Sequence, residues 1–128
     1  MTEEQLKALV DLFYARVRAD PELGPLFNQA VGDWPDHLER LTAFWSSVML
    51  TSGRYKGNPM AAHLKHRAQI SPALFTRWLT LWAETTDEIM PPEAAAALQA
   101  KAARIAESLQ LALYFRIDPG APPTREAA

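Results

Sequence analysis

The chain has 128 residues, enough for one domain with a hydrophobic core of its own. Its 13 basic and 15 acidic residues leave a formal charge of −2 without a basic run, which speaks against a nucleic-acid partner, and the absence of cysteine excludes disulfides, thiolate nucleophiles and cysteine-held zinc or iron–sulfur centres. The polar start from Thr2 to Gln5 and the lack of any apolar run near the roughly 20 residues of a membrane span point to a soluble, cytoplasmic chain with no membrane partner.

Thr2 with Gln5 reads as a capping box, and Leu6, Leu9, Val10, Phe13 and Val17 recur at helical spacing until Asp20 and Pro21 interrupt, which predicts a helix over 3–19. Prolines and glycines between Pro21 and Gly32, around Leu23, Leu26 and Phe27, predict a short helical turn and a corner. Asp33 can cap a long helix whose apolar face runs through Leu38, Leu41, Phe44, Trp45 and Val48 and which Ser52 and Gly53 end; His37 lies one turn before Leu41. Asn58 and Pro59 open a brief helix reaching about His66, too short to be stable alone.

Ser71 and Pro72 repeat the cap and first-turn signal for a helix with Phe75, Trp78, Leu79, Trp82 and Ile89 on one face, stopped by Pro91 and Pro92. From Pro92 to about Arg116 the composition is alanine-rich, with Leu98, Ala102, Ile105, Leu109 and Leu113 on one stripe. Residues 118–128 are proline-rich and polar and are expected to form a disordered tail behind a domain over 1–117. No period-two alternation and no repeat is present, so the fold class is all-α, with four long or medium helices and two short ones.

Without cysteine, a metal would have to draw on carboxylates or on His37, His63 and His66. His63 sits in the weak short helix beside small Ala61 and Ala62, which would let a flat cofactor come close; as plain surface residues, His63 and His66 share a basic face with Lys65 and Arg67. A zinc pair lacks its usual companions, since no carboxylate occurs between Gly57 and Leu74. His37 falls on an apolar face, as either a cavity-edge or a partly buried helix-start residue, and Tyr14 is either a core tyrosine bonded to backbone or a ligand-facing hydroxyl. Trp45, Trp78 and Trp82 all fall on inward faces, which suits core packing or a flat aromatic cofactor. With no phosphate loop, nucleophile elbow or spaced carboxylate pair, hydrolase and kinase chemistry have no foothold.

Phe13-Tyr14, Phe27, His37 with Trp45, and His63 preceded by Tyr55-Lys56-Gly57-Asn58-Pro59 together resemble the group III truncated haemoglobins, over about Leu6 to Arg116. The resemblance implies a truncated globin-like fold, two helix pairs in a two-over-two sandwich around haem b. It makes His63 the iron ligand, Tyr14 the distal hydrogen-bond donor and His37 the second polar residue beside the ligand. Trp78, within Phe75 to Trp82 and its F-x-R-W-L-x-L-W pattern, brings its indole near the haem. Phe27, Leu41, Phe44 and Trp45 pack on the porphyrin, and Arg40 pairs with a propionate. A shift of one gap would nominate His66, but the G-N-P-x-x-x-H context favours His63. Only Gly24 and Gly32 lie near the corner where other truncated haemoglobins carry glycine pairs, which favours group III.

The expected function is that of a haem-b protein binding oxygen and other diatomic ligands for redox chemistry of oxygen, nitric oxide or peroxide, with Tyr14, His37 and Trp78 acting on the ligand. It leaves open a nitric oxide dioxygenase-like or peroxidase-like activity, served by an unidentified reductase, in a monomer or weak dimer. The rivals are simple reversible oxygen binding and a haem-free helical interaction module.

Overall fold

The structure is a computed structural model and describes residues 1–59, 63, 65, 66 and 69–114. These form α1 (Glu3–Ala19), α2 (Gly24–Ala30), α3 (Trp34–Leu50), α4 (Pro72–Ile89) and α5 (Pro92–Tyr114), with no strand among the described residues. Much of the brief helix expected up to His66 lies outside the described residues, as does the tail over 118–128.

Local chemistry sets the ends of these helices. At the start of α1 the Thr2 hydroxyl accepts from the Gln5 N–H at 3.1 Å and the Gln5 side chain accepts from the Thr2 N–H at 2.8 Å, the reciprocal capping box its sequence predicts. Asp33 caps α3 by accepting from the Asp36 N–H at 3.1 Å, and Thr51 ends it in the left-handed conformation, with φ 54°. Ser71 departs from expectation: it holds the cap position, but its hydroxyl makes no capping bond. Its backbone carbonyl takes the Leu74 N–H at 3.0 Å instead, and Pro72 has no N–H to satisfy.

Asp20 makes the turn after α1. One carboxylate oxygen accepts the N–H groups of Glu22 and Leu23, and the other takes both Nε and Nη2 of Arg77 on α4, at 2.9 and 2.7 Å. The side chain is buried, and the Arg77 hydrogen bonds hold its carboxyl below the usual range against the opposing effect of burial. Gly24 then passes so close to α1 that a Cβ there would lie 2.6 Å from the Arg18 carbonyl oxygen. Any larger residue would push α2 away from α1.

Leu6, Leu9, Val10, Phe13 and Val17 are fully buried along one stripe of α1, each side chain contributing about 1.5–3 kcal/mol of transfer free energy. That stripe packs on α3 and on α4, while α4 packs on α5 across a connection short enough to make them antiparallel neighbours. Two helix pairs, α1 with α3 and α4 with α5, thus meet where α1 touches α4. Aromatic rings fill the meeting place. Trp82 stacks on Trp45 at 4.5 Å and on Trp78 at 5.7 Å, and Phe13 stands edge-on to both Trp78 and Trp82. A smaller cluster of Phe75, Ala106, Leu109 and Leu113 closes the other end of the α4–α5 pair, where the Tyr114 hydroxyl donates to the Ile70 carbonyl at 2.8 Å.

Candidate functional site

The helix pairs do not close everywhere. Between α1, α2 and α3 on one side and α4 and α5 on the other, with the segment 54–59 at the rim, lies a cavity of about 640 Å³. That is within the usual range of small-molecule and cofactor sites, about 300–1,000 Å³. Its walls are mostly apolar: Phe27 from α2, Leu41, Phe44 and Trp45 from α3, Trp78 from α4. Tyr14, His37, Arg40 and His63 border the same space, so the residues that the resemblance names for the site come to one cavity.

Tyr14 and His37 form the polar corner at one end. The Tyr14 ring is buried and packs between Phe13, Phe27 and His37, the last edge-on at 6.2 Å. Burial pushes its phenol well above the ordinary value of 10.0, against the pull of the Trp78 indole N–H on its oxygen. The hydroxyl is therefore protonated at every physiological pH and available as a donor. Burial and the nearby Arg40 cation hold His37 below its ordinary value of 6.5, against the opposing field of Asp36. The imidazole is neutral at pH 7, able to donate from one nitrogen and accept at the other.

His63 is half-buried at the cavity wall. Its Nδ1 lies 2.7 Å from the Pro59 carbonyl oxygen. A carbonyl only accepts, so Nδ1 carries a proton, and the lone pair of the neutral imidazole is then on Nε2. A backbone carbonyl fixing the tautomer in this way is the usual preparation of a histidine for a metal. His66 does not border the cavity; its backbone N–H closes a turn onto the His63 carbonyl at 3.0 Å.

Among the described residues no group of three or more His, Cys, Asp or Glu side chains could hold a bare metal ion. A metal at His63 must therefore bring further donors with it, as one held in a macrocycle does. The residues fit such a group: one imidazole whose Nδ1 is taken by the Pro59 carbonyl, a mostly apolar cavity of suitable volume, and cations at the rim. Those cations are Arg40, Arg54 and Lys56. Arg40 pairs with Asp36 one turn away at 2.9 Å and remains largely exposed, and Arg54 makes a short contact with Glu3.

Several functional neighbours escaped the sequence. Ile105 and Leu109 fall on the apolar stripe of α5, yet both border the cavity; helical periodicity does not distinguish a core face from a cavity wall. Arg54 is set by nonlocal contacts, since Glu3 also accepts from the buried Ser46 hydroxyl at 2.6 Å and so ties the start of α1 to the segment after α3. Trp34 packs behind His37 without bordering the cavity, and nothing in its local sequence marks it.

No family model matches the chain. Over 118 residues it is 31% identical to the group 3 truncated hemoglobin ctb of Campylobacter jejuni subsp. jejuni serotype O:2, an alignment that covers 89% of this chain and 92% of that protein. The crystal structure of group III truncated hemoglobin from Campylobacter jejuni superposes with a TM-score of 0.79 at 31% identity, covering 89% of this chain and 92% of that one. No described helix is long and apolar enough to cross a membrane.

Proposed function

Because the chain belongs to the group III truncated haemoglobins, we propose that its cavity would seat haem b, with His63 holding the iron and Tyr14, His37 and Trp78 beside the diatomic ligand. The all-helical chain has the truncated globin fold, binds haem and takes oxygen and other diatomic ligands. The observation that carries the site reading is the hydrogen bond from His63 Nδ1 to the Pro59 carbonyl, which leaves Nε2 as the coordinating nitrogen beside an apolar slot.

When bound, haem supplies an iron that takes the diatomic ligand and exchanges electrons. The chain's own residues do the rest. Phe27, Leu41, Phe44 and Trp45 from one side of the cavity and Ile105 and Leu109 from the other exclude water from it. The Tyr14 hydroxyl, with the Trp78 indole N–H on its oxygen, presents a donor in a buried corner, where hydrogen bonds to developing negative charge are strong. Neutral His37 can hand a proton inward or accept one. Donors of that strength favour retention of a polarised ligand, which suits redox turnover of oxygen, nitric oxide or peroxide better than carriage and release. A reductase must then restore the reduced state, in a cytoplasmic setting that can supply electrons.

Haemin titration of the purified chain tests the site. A stoichiometric Soret band is expected in wild type and in His66→Ala, and its loss or a changed ligation spectrum in His63→Ala. Equal binding and identical spectra in wild type and His63→Ala would move the ligand elsewhere. No saturable uptake by wild type would return the chain to a haem-free helical module.

A further inference from the structure

Trp34 belongs to the polar corner without bordering the cavity. It opens α3 and is half-buried. Its ring meets the His37 imidazole edge-on at 5.5 Å and 89°, and lies 6.3 Å from the Tyr14 ring. The Arg18 guanidinium, from the last turn of α1, covers its outer face at 4.5 Å from the ring centroid. In order of increasing burial come Arg18, exposed, then Trp34 and His37, both half-buried, and Tyr14, buried, with the three rings packed on one another.

Helix geometry makes this order consequential. Side chains on an α-helix lean toward its N-terminus, and residues three apart share a face. An imidazole at position 37 that leaves the cavity must therefore lean over the turn that Trp34 occupies. His37 packs edge-on against both the Tyr14 and the Trp34 rings, which also pack on each other. Trp34, in the first helical turn, is steadied in its turn by a cation from another helix, a contact of the cation–π kind.

We propose that Trp34, pinned by Arg18, is a positioning residue that fixes the His37 imidazole at the cavity and so sets how fast a diatomic ligand enters it. The inference rests on the haem reading above. It assigns no chemistry to Trp34 itself, whose effect passes through His37.

Flash photolysis of the carbon monoxide complex of the haem-loaded chain provides the test, with association and dissociation rates measured separately. Trp34→Leu should raise the association rate several-fold, Arg18→Gln should raise it by less, and Trp34→Phe, which keeps an edge-on ring, should stay near wild type. The effect of Trp34→Leu should vanish in a His37→Ala background, the signature of action through one residue. A second readout is independent of ligand rates: the His37 imidazole resonances should move in Trp34→Leu while the iron–histidine ligation spectrum does not. An unchanged association rate in Trp34→Leu, or the same acceleration with His37 absent, overturns the proposal. Should Trp34→Leu fail to fold, Arg18→Gln at the exposed surface carries the test, and an unchanged rate there overturns it. Failure of wild type to take up haem would remove the haem reading and this inference together; normal uptake with unaltered rates would remove this inference alone.

Discussion

Trp78 and Trp82 lie one turn apart on α4 with their rings parallel to within 4° and 5.7 Å between centroids, yet they belong to different regions of the molecule. Trp82 is fully buried, stacked on Trp45, and its indole N–H donates to the Leu98 carbonyl on α5 at 3.1 Å. Trp78 is half-buried and borders the cavity, with its indole N–H acting on the Tyr14 hydroxyl. Residue type, helix and ring plane are shared. The difference lies in the polar edge, satisfied in one case by a neighbouring helix backbone and in the other by a hydroxyl that borders the cavity. A sealed core and a working site can thus be adjacent turns of one helix.

The comparison is broken most directly by removing the sealed member. Trp82→Ala should cost about 3–5 kcal/mol of stability, because it empties a fully buried site and leaves the Leu98 carbonyl without its donor. Chemical denaturation checks this, and a loss under about 1 kcal/mol would mean that the stack is not the core. The same experiment on Trp78→Phe should show a loss of about 1.5 kcal/mol at most, with ligand release altered more than stability.

Tyr14→Phe sharpens the contrast from the cavity side. Losing one hydrogen bond of about 1 kcal/mol should accelerate oxygen release roughly fivefold in stopped-flow, with little change in the unfolding midpoint. Slower or unchanged release would take Tyr14 off the ligand.

A pH series separates the corner at Asp20 from both. Its carboxyl is depressed in the folded chain by the Arg77 hydrogen bonds, so the stabilisation it provides is fully present above the ordinary value of 3.8. It fades as pH falls through the lower folded value. Asp20→Asn should flatten that acid limb while leaving the aromatic stack intact; an unchanged acid midpoint would show that the pair contributes nothing. Smallest of all, Lys7→Ala removes an exposed pair with Asp11 one turn along α1 and should shift stability by no more than about 0.5 kcal/mol.

Legibility in the sequence follows the range of the interaction. The bounds of α1 could be read because the Thr2–Gln5 box and the apolar stripe are local, and α4 because prolines bracket it. Tyr14, His37, Trp78 and His63 were legible through their motif context, which brought them to a common cavity. Trp34 was not, because what gives it a place beside His37 is the Arg18 guanidinium from α1, a contact that no local pattern encodes. Ser71 carried a cap signal that the chain does not use, its carbonyl having taken the donor first. His63 and His66 are alike as residues, and only their surroundings, a carbonyl and a cavity for one and a closing turn for the other, tell them apart.

Phe13 touches Tyr14 at 4.8 Å, Trp78 at 5.5 Å and Trp82 at 4.8 Å, each nearly at right angles. A single side chain therefore shoulders both the ligand corner and the sealed stack. Any lineage that retunes the corner by changing the shape of Tyr14 or Trp78 must do so against the same Phe13 ring that supports Trp82. Substitutions at these four positions will be accepted in combinations rather than one at a time, so the evolutionary path of the pocket is coupled to that of the core.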